Sequence, residues 1–306
     1  MKNILIIGGT GYIGSNIVAK LMLEKNYNVT ILVAGDGITD FGPEVNIVRG
    51  KLKDFDKINI VVRNSRISTI LHLASSMLPN SSYEDFLKEE TDVIVPTQNI
   101  IRLCSKNDIE FVFFSSGGAV YGETKKREIE ENHALDPISY YGLAKKKIED
   151  FVQFESRNNN LKFLILRPSN PYGGYKNYNN NHGLILAVIN CIREKKTLNI
   201  YVDKNTTRDF IHIDELVDIV ARLLESNNNG CYNIATGVGT KISDICDFFT
   251  QSFPNRFRVQ YHKDVVKDVK SSVLCVDKLN KMYPKRLKMP LAQGLTTILE
   301  KLTDTP

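Results

Sequence analysis

The chain has 306 residues, with Lys+Arg 40 against Asp+Glu 35 and a formal charge of +5. Hydrophobic residues make up 42% and charged residues 25%, the mix of a globular protein with a sizeable core, which excludes disordered, collagen-like and low-complexity classes. The positive excess is small and spread along the chain, so no nucleic acid or other acidic partner is expected, and Lys145-Lys146-Lys147 reads as a solvated helix face.

The chain opens on Met1-Lys2-Asn3 and the apolar run Ile4-Leu5-Ile6-Ile7, too short before its glycines for a secretion signal. Residues 3–7 instead predict a first strand, and further β-branched runs predict strands at 29–33, 69–73, 111–115 and 162–167. Helical spacing lies between them. Ile17, Val18, Leu21 and Met22 share one face. Ala144, Ile148, Phe151, Val152 and Glu155 share another, in a helix opening after Pro137 with Ser139 as its cap. Strands apolar on both faces and separated by helices predict an α/β fold with a doubly wound parallel sheet.

Beyond Pro171 the pattern loosens. Residues 172–181, rich in Gly, Asn and Tyr, read as an exposed loop. A helix follows at 184–193, then a strand at 198–202, a helix at 214–224 and a further main-sheet strand at 231–235. The expected organisation is a nucleotide-binding domain over 1–170, with 206–236 returning to it. A smaller, mixed α/β substrate lobe would come from 171–205 and 237–306. No stretch reaches the ~18 apolar residues of a membrane span. The five cysteines (104, 191, 231, 246 and 275) form no CxxC pair, which argues for a reducing, cytoplasmic setting. The five histidines show no metal spacing, so no metal is expected.

Directly after the first strand comes Gly8-Gly9-Thr10-Gly11-Tyr12-Ile13-Gly14, with glycines at i, i+3 and i+6. One glycine makes the tight turn, one lets backbone amides approach a pyrophosphate, and one lets helix and strand pack closely. The following helix start presents unpaired N–H groups to phosphates. Three Tyr-x-x-x-Lys pairs occur, Tyr121/Lys125, Tyr141/Lys145 and Tyr172/Lys176. Only Tyr141 and Lys145 fall on a predicted helix, sharing a face with Ile148 and Val152. A phenol with a pKa near 10 is a poor base at neutral pH, and a neighbouring ammonium helps to bring it down.

The glycine spacing and this pair resemble the short-chain dehydrogenase/reductases. Further motifs resemble their extended branch, the nucleotide-sugar epimerases, dehydratases and reductases. These are His72-Leu73-Ala74, the run from Phe113 to Gly122 ending in Val120-Tyr121-Gly122, Arg167-Pro168-Ser169-Asn170-Pro171-Tyr172-Gly173, and Arg208-Asp209-Phe210-Ile211-His212. The resemblance implies a Rossmann-type fold and NAD or NADP as cofactor. The glycine loop would hold it, with Leu73 and Ala74, Ser115, Tyr141, Lys145 and Pro168. Tyr141 and Lys145 would be catalytic, and Ser116, Tyr141, Asn170 and Arg208 would meet a nucleotide-diphosphate sugar, either UDP- or dTDP-linked. A homodimer formed through two helices per subunit is also implied.

The chain departs from the pattern in places. The usual catalytic Ser/Thr position, four before Tyr121, is Gly117, while counting back twenty-five from Tyr141 gives Ser116, which is taken as the candidate, with Ser115 behind it. The acid at the end of the second strand is replaced by Val33, with Asp36 nearest, and the adenine-contacting Gly-Asp reads Gly50-Lys51. Near the C-terminus the Arg-x-x-Asp element reads Val265-Val266-Lys267-Asp268, leaving Lys263, Lys267 or Lys270 as point charges. The leading expectation is a 4-epimerase working through a 4-keto sugar. Its runner-up is a reductase of a dTDP-4-keto-6-deoxy sugar, favoured by the weak adenosine contacts. A dehydratase is disfavoured because Gly118-Ala119 stand where an Asp-Glu pair belongs. A non-catalytic dinucleotide sensor is the alternative from another class.

Overall fold

The structure, a computed structural model, describes residues 1–35, 41–174, 183–254, 256–262 and 268–303. The chain begins with β1 (Lys2–Ile7), α1 (Tyr12–Glu24), β2 (Tyr27–Val33), β3 (Asn46–Arg49), α2 (Phe55–Asn64) and β4 (Thr69–His72). A long helical stretch follows, α3 (Tyr83–Glu89), a π-helical turn (Glu90–Ile94) and α4 (Val95–Lys106), then β5 (Glu110–Phe114). Next come α5 (Tyr140–Asn159), β6 (Phe163–Pro168), β7 (Asn170–Tyr172), α6 (Leu184–Glu194) and β8 (Thr197–Ile200). The chain continues through β9 (Thr207–His212), α7 (Ile213–Glu225), β10 (Gly230–Ile234), β11 (Gly239–Lys241), α8 (Ile242–Ser252) and β12 (Arg258–Tyr261). It closes with β13 (Ser271–Ser272), α9 (Asp277–Met282) and α10 (Leu291–Thr303).

Among the described residues, seven strands form one sheet in the order β10-β6-β5-β4-β1-β2-β3, every neighbouring pair parallel. Alternate side chains feed opposite cores. Ile4 and Ile6 pack with Ile17, Val18 and Leu21 of α1 and with α7, while Leu5 and Ile7 pack with Ile58 of α2, Ile100 of α4 and Ile148 of α5. Both faces are therefore covered, which explains the unbroken burial along β4 and β6. The strand expected at 231–235 joins this sheet as β10, beside β6.

Helix ends follow local chemistry. Ser139 caps α5 by accepting from the Gly142 N–H at 3.1 Å, as the sequence predicts. That helix runs five residues further than expected and stops at Asn160 in the left-handed conformation. His212 caps α7, its Nδ1 accepting from the Asp214 N–H at 3.3 Å.

β9 lies outside the main sheet. It pairs with β7, β11 and β13 in a smaller mixed sheet, and among the described residues β8 pairs only with β12. So within 206–236, α7 packs on α1 and β10 joins the main sheet, whereas β9 carries Arg208 and Asp209 into the smaller one. Among the described residues no helix is long and apolar enough to cross a membrane.

Candidate active site

The main sheet changes direction between β1 and β4, since the chain leaves β1 toward β2 on one side and reaches β4 on the other. Loops at the carboxyl ends of those two strands part there and open a crevice. A cleft of about 410 Å³ lies at this point, lined by Gly8, Gly11 and Gly14 from the first loop and Leu73 after β4. Ser115 and Ser116 after β5, Pro168 and Asn170 beside β6, and Tyr141 and Lys145 of α5 complete its polar side.

The glycine loop explains its own composition. A Cβ on Gly8, whose φ is +86°, would stand 2.8 Å from the Ala74 backbone nitrogen, and one on Gly14 would run into the Gly8 carbonyl. Those glycines let β1, α1 and the end of β4 meet. Gly11, by contrast, is lightly packed, a Cβ there meeting the Gly8 carbonyl at 3.4 Å, and begins α1 without a side-chain cap, so the first N–H groups of that helix border the cleft. The Ser115 hydroxyl is buried there with no hydrogen-bond partner among the described residues. Orphan amide donors, an orphan hydroxyl and an open glycine together fit a dinucleotide. Tyr12 and Ile13 also line the cleft, but Gly9, Thr10 and Ala74 do not, Gly9 being wedged against Ile31.

Tyr141 and Lys145 stand one turn apart on α5, with the ammonium 5.7 Å from the tyrosine ring centre. Lys145 is 5% exposed and donates to the Phe114 carbonyl at 3.0 Å, so the run 145–147 is a solvated face only at its outer members. Lys146 pairs with Asp150 and Lys147 with Glu90. Burial pulls the Lys145 ammonium down to about 8, against the opposing charges of Glu89 and Glu149. Burial pushes the Tyr141 hydroxyl up, against a hydrogen bond from Ser116 and with a contribution from the Glu89 charge. The protein's own residues thus keep this phenol protonated, contrary to the lowering expected from the neighbouring lysine. Desolvation outweighs that ammonium because Lys145 is itself buried and turned to a backbone carbonyl.

Ser116 lines the cleft beside Tyr141 and pulls its hydroxyl down against the effect of burial, which bears directly on the missing hydroxyl at position 117. A Cβ on Gly117 would collide with Leu274, which enters from the smaller lobe, and would stand 3.2 Å from the Pro168 carbonyl. A side chain at 117 therefore requires Leu274 to turn aside and crowds the Arg167 carbonyl at 3.0 Å, while neighbouring Ser116 already lines the cleft with the phenol.

The other two Tyr-x-x-x-Lys tyrosines are structural. Tyr121 is buried, donating to Asn233 at 2.7 Å and accepting from Arg167 at 2.9 Å, and Arg167 also pairs with buried Glu149 at 2.6 Å. Tyr172 is buried against His212 in an edge-on contact. His72 is fully buried beside Thr97, and burial together with the Lys145 charge pulls it down to about 3, so it stays neutral.

Asn170 lines the cleft and donates one N–H to the Asp209 carbonyl at 2.8 Å, leaving its second N–H and its oxygen for a ligand. Arg208 stands apart from the described cleft lining, held by Asp268 at 2.7 Å and the Thr207 carbonyl at 2.9 Å. The backbone N–H of Lys270 donates to Glu123 at 2.9 Å. Asp36, Tyr175, Tyr178, Lys263 and Lys267 lie outside the described residues. The structure adds residues that sequence reasoning missed: Ser75 and the segment from Met77 to Asn80 form one wall of the cleft. Their position straight after His72-Leu73-Ala74 is the signal that pointed there.

Comparison with known proteins agrees with this geometry. The chain is 33% identical over 270 residues to a Methanocaldococcus jannaschii protein assigned as a UDP-glucose 4-epimerase, covering 85% of each. It is 27% identical over 244 residues to a dTDP-4-dehydro-6-deoxyglucose reductase of Escherichia coli, covering 77% of each. Among solved structures, the Thermotoga maritima UDP-glucose 4-epimerase with UDP-glucose superposes with a TM-score of 0.88 at 26% identity, covering 99% of each chain. A family model matches residues 4–235, and the chain is therefore a member of the NAD dependent epimerase/dehydratase family.

Proposed function

We propose that this protein is an NAD-dependent nucleotide-sugar 4-epimerase acting on a UDP-sugar. The observation that carries the reading is that Ser116, Tyr141 and buried Lys145, the last two one helical turn apart, line the glycine-loop cleft together. The M. jannaschii and T. maritima proteins support the substrate class. The open Gly11, the α1 N-terminus and the Ser115 hydroxyl would hold the dinucleotide, and Lys145 its nicotinamide ribose. When bound, NAD supplies a hydride acceptor at sugar C4 and a positive charge that favours the phenolate. Ser116 orients the C4 hydroxyl, and Tyr141 takes its proton as the C4 ketone forms. Once the ketone has turned its other face, the hydride taken from C4 would return to that carbon and Tyr141 returns the proton to the C4 oxygen, restoring the alcohol with inverted configuration. Asn170 binds the diphosphate in this reading. Arg208 clamps the nucleotide only by exchanging its Asp268 partner for it.

A reductase of a dTDP-4-keto-6-deoxy sugar is the second reading. It is supported by the E. coli relative and by Val33 and Gly50-Lys51 in place of the adenosine-binding acids. One experiment separates the two. Purified protein given UDP-glucose and NAD should form its C4 epimer without net change in nicotinamide absorbance. Stoichiometric loss of NADH or NADPH with a dTDP-4-keto-6-deoxy sugar, and no epimerisation, gives the reductase instead.

The protein is further read as a cytoplasmic homodimer. Free thiols at all five cysteines are consistent with the compartment. Half-exposed Val95 on α4 and Phe154 on α5 supply apolar surface for a two-helix contact, which light scattering would detect as a doubled mass.

A further inference from the structure

Glu89 ends α3 just before the π-helical turn Glu90–Ile94 and is 2% exposed. Its carboxylate belongs to no ion pair with a lysine or arginine among the described residues. It accepts three hydrogen bonds instead, from the Ser75 hydroxyl at 2.7 Å, the Ser76 N–H at 3.0 Å and the Ser76 hydroxyl at 2.5 Å. Both serines belong to the loop after β4, and Ser75 lines the cleft together with Tyr141 and Lys145. α3 in turn packs on α5, with the Phe86 and Tyr140 rings 5.7 Å apart and Lys147 paired to Glu90. A buried anion is thereby fixed behind the serine loop and near the two reactive side chains of α5.

Two consequences follow from this arrangement. The Ser75 hydroxyl gives its one proton to Glu89 and accepts from the Met77 N–H at 3.2 Å, so toward the cleft it offers only its remaining lone pair. It can accept from a donor such as a sugar hydroxyl and cannot donate to a phosphate oxygen. The second consequence is electrostatic, because a buried carboxylate is only weakly screened. Around it stand Tyr141, Lys145 and Glu149 on α5, with Arg167 neutralising Glu149, neutral His72 on β4, and the Glu90–Lys147 pair.

We propose that Glu89 is a positioning residue of the active site, fixing Ser75 as an acceptor for a sugar hydroxyl and holding a buried negative charge opposite Lys145 and Tyr141. The assignment of a sugar hydroxyl rests on the epimerase reading above; the charge does not. That charge favours the protonated form of both neighbours: it adds to the upward shift of Tyr141 and opposes the downward pull of burial on Lys145.

The test uses the full-length chain with readouts besides turnover. In ultraviolet difference titration, the chain minus its Tyr141→Phe variant reports the Tyr141 phenolate. Glu89→Gln keeps the side-chain shape, and the phenolate should then appear at lower pH, by about one unit. An unmoved midpoint overturns the electrostatic role, because a structural role would leave it in place. Ser75→Ala on the accessible loop should weaken calorimetric binding of UDP-glucose about five- to tenfold, the worth of one neutral hydrogen bond. Unchanged affinity overturns the acceptor role, and it decides the matter even if Glu89→Gln does not fold. Failure of the epimerase reading would show separately, as absent turnover in the unsubstituted protein.

Discussion

In the seven-stranded sheet every strand runs the same way, both faces are covered, and each functional side chain sits at a strand end or on the helix that follows. The smaller sheet gathers β7, β9, β11 and β13, strands of two to six residues drawn from distant parts of the chain, around the single strand β9. The family model covers the first region and ends at residue 235, close to the start of β11. The two regions meet at Gly117. The main sheet supplies the Ser115-Ser116-Gly117 turn, and Leu274 from beyond 235 decides which of those positions can carry a side chain. In the proposed reading the chemistry belongs to the sheet, while Leu274 weighs on which position of its turn carries the side chain.

That division can be broken most directly at Tyr141. Tyr141→Phe should lower turnover by about 10³-fold while NAD binding, measured by calorimetry, stays unchanged. Loss of NAD binding together with activity would mean that the phenol holds the cleft together rather than moving a proton.

Ser116→Ala should cost about 10²-fold in turnover, as removal of one oriented donor does elsewhere. The lobe enters through the rescue. Gly117→Ser in that background should fail to restore activity and should cost about 1–3 kcal/mol in urea unfolding, since the new Cβ meets Leu274. Adding Leu274→Ala should recover part of that stability. Rescue by Gly117→Ser alone would show that the lobe does not dictate the position.

The third prediction concerns pH. With Lys145 at about 8 in the folded protein, turnover should fall as pH rises past about 8 and the ammonium is lost. Stability runs the other way. Between about 8 and its ordinary 10.5, Lys145 is protonated only in the unfolded chain, so its share of stability grows with rising pH. His72, neutral in the fold down to about 3, contributes stability that is lost as pH falls from 6.5 toward 3. Thermal melts across pH for the chain and for Lys145→Met should show the Lys145 slope only in the former.

The smallest effect is expected at the lobe's ion pair. Asp268 is 43% exposed at its side chain, so Asp268→Asn should change KM for UDP-glucose by no more than about threefold, with kcat unaltered. A larger fall in KM would mean that the Arg208–Asp268 pair is worth more than an exposed ion pair and holds Arg208 back from the nucleotide strongly.

The glycine loop, the Tyr141/Lys145 pair and the parallel strands could be read from the chain itself, because each depends on neighbours within a few residues: a helix turn, a strand period, a tight bend. Ser139 as the cap of α5 belongs with them. The short strands of the smaller sheet were not legible, since two or three residues carry no period and their pairing is made across the fold. Glu89 was hidden for a related reason. In sequence, Lys88-Glu89-Glu90 is a charged helix surface, and only the packing of α3 on α5 with the serine loop across it buries the middle residue. Counting along the chain brought Ser116 within reach as the hydroxyl beside Tyr141. Only the tertiary structure supplied the reason, a leucine 157 residues away whose side chain, with the Arg167 carbonyl, crowds a side chain at 117. Local periodicity determines which elements form, whereas steric exclusion and burial act between residues that the sequence keeps far apart.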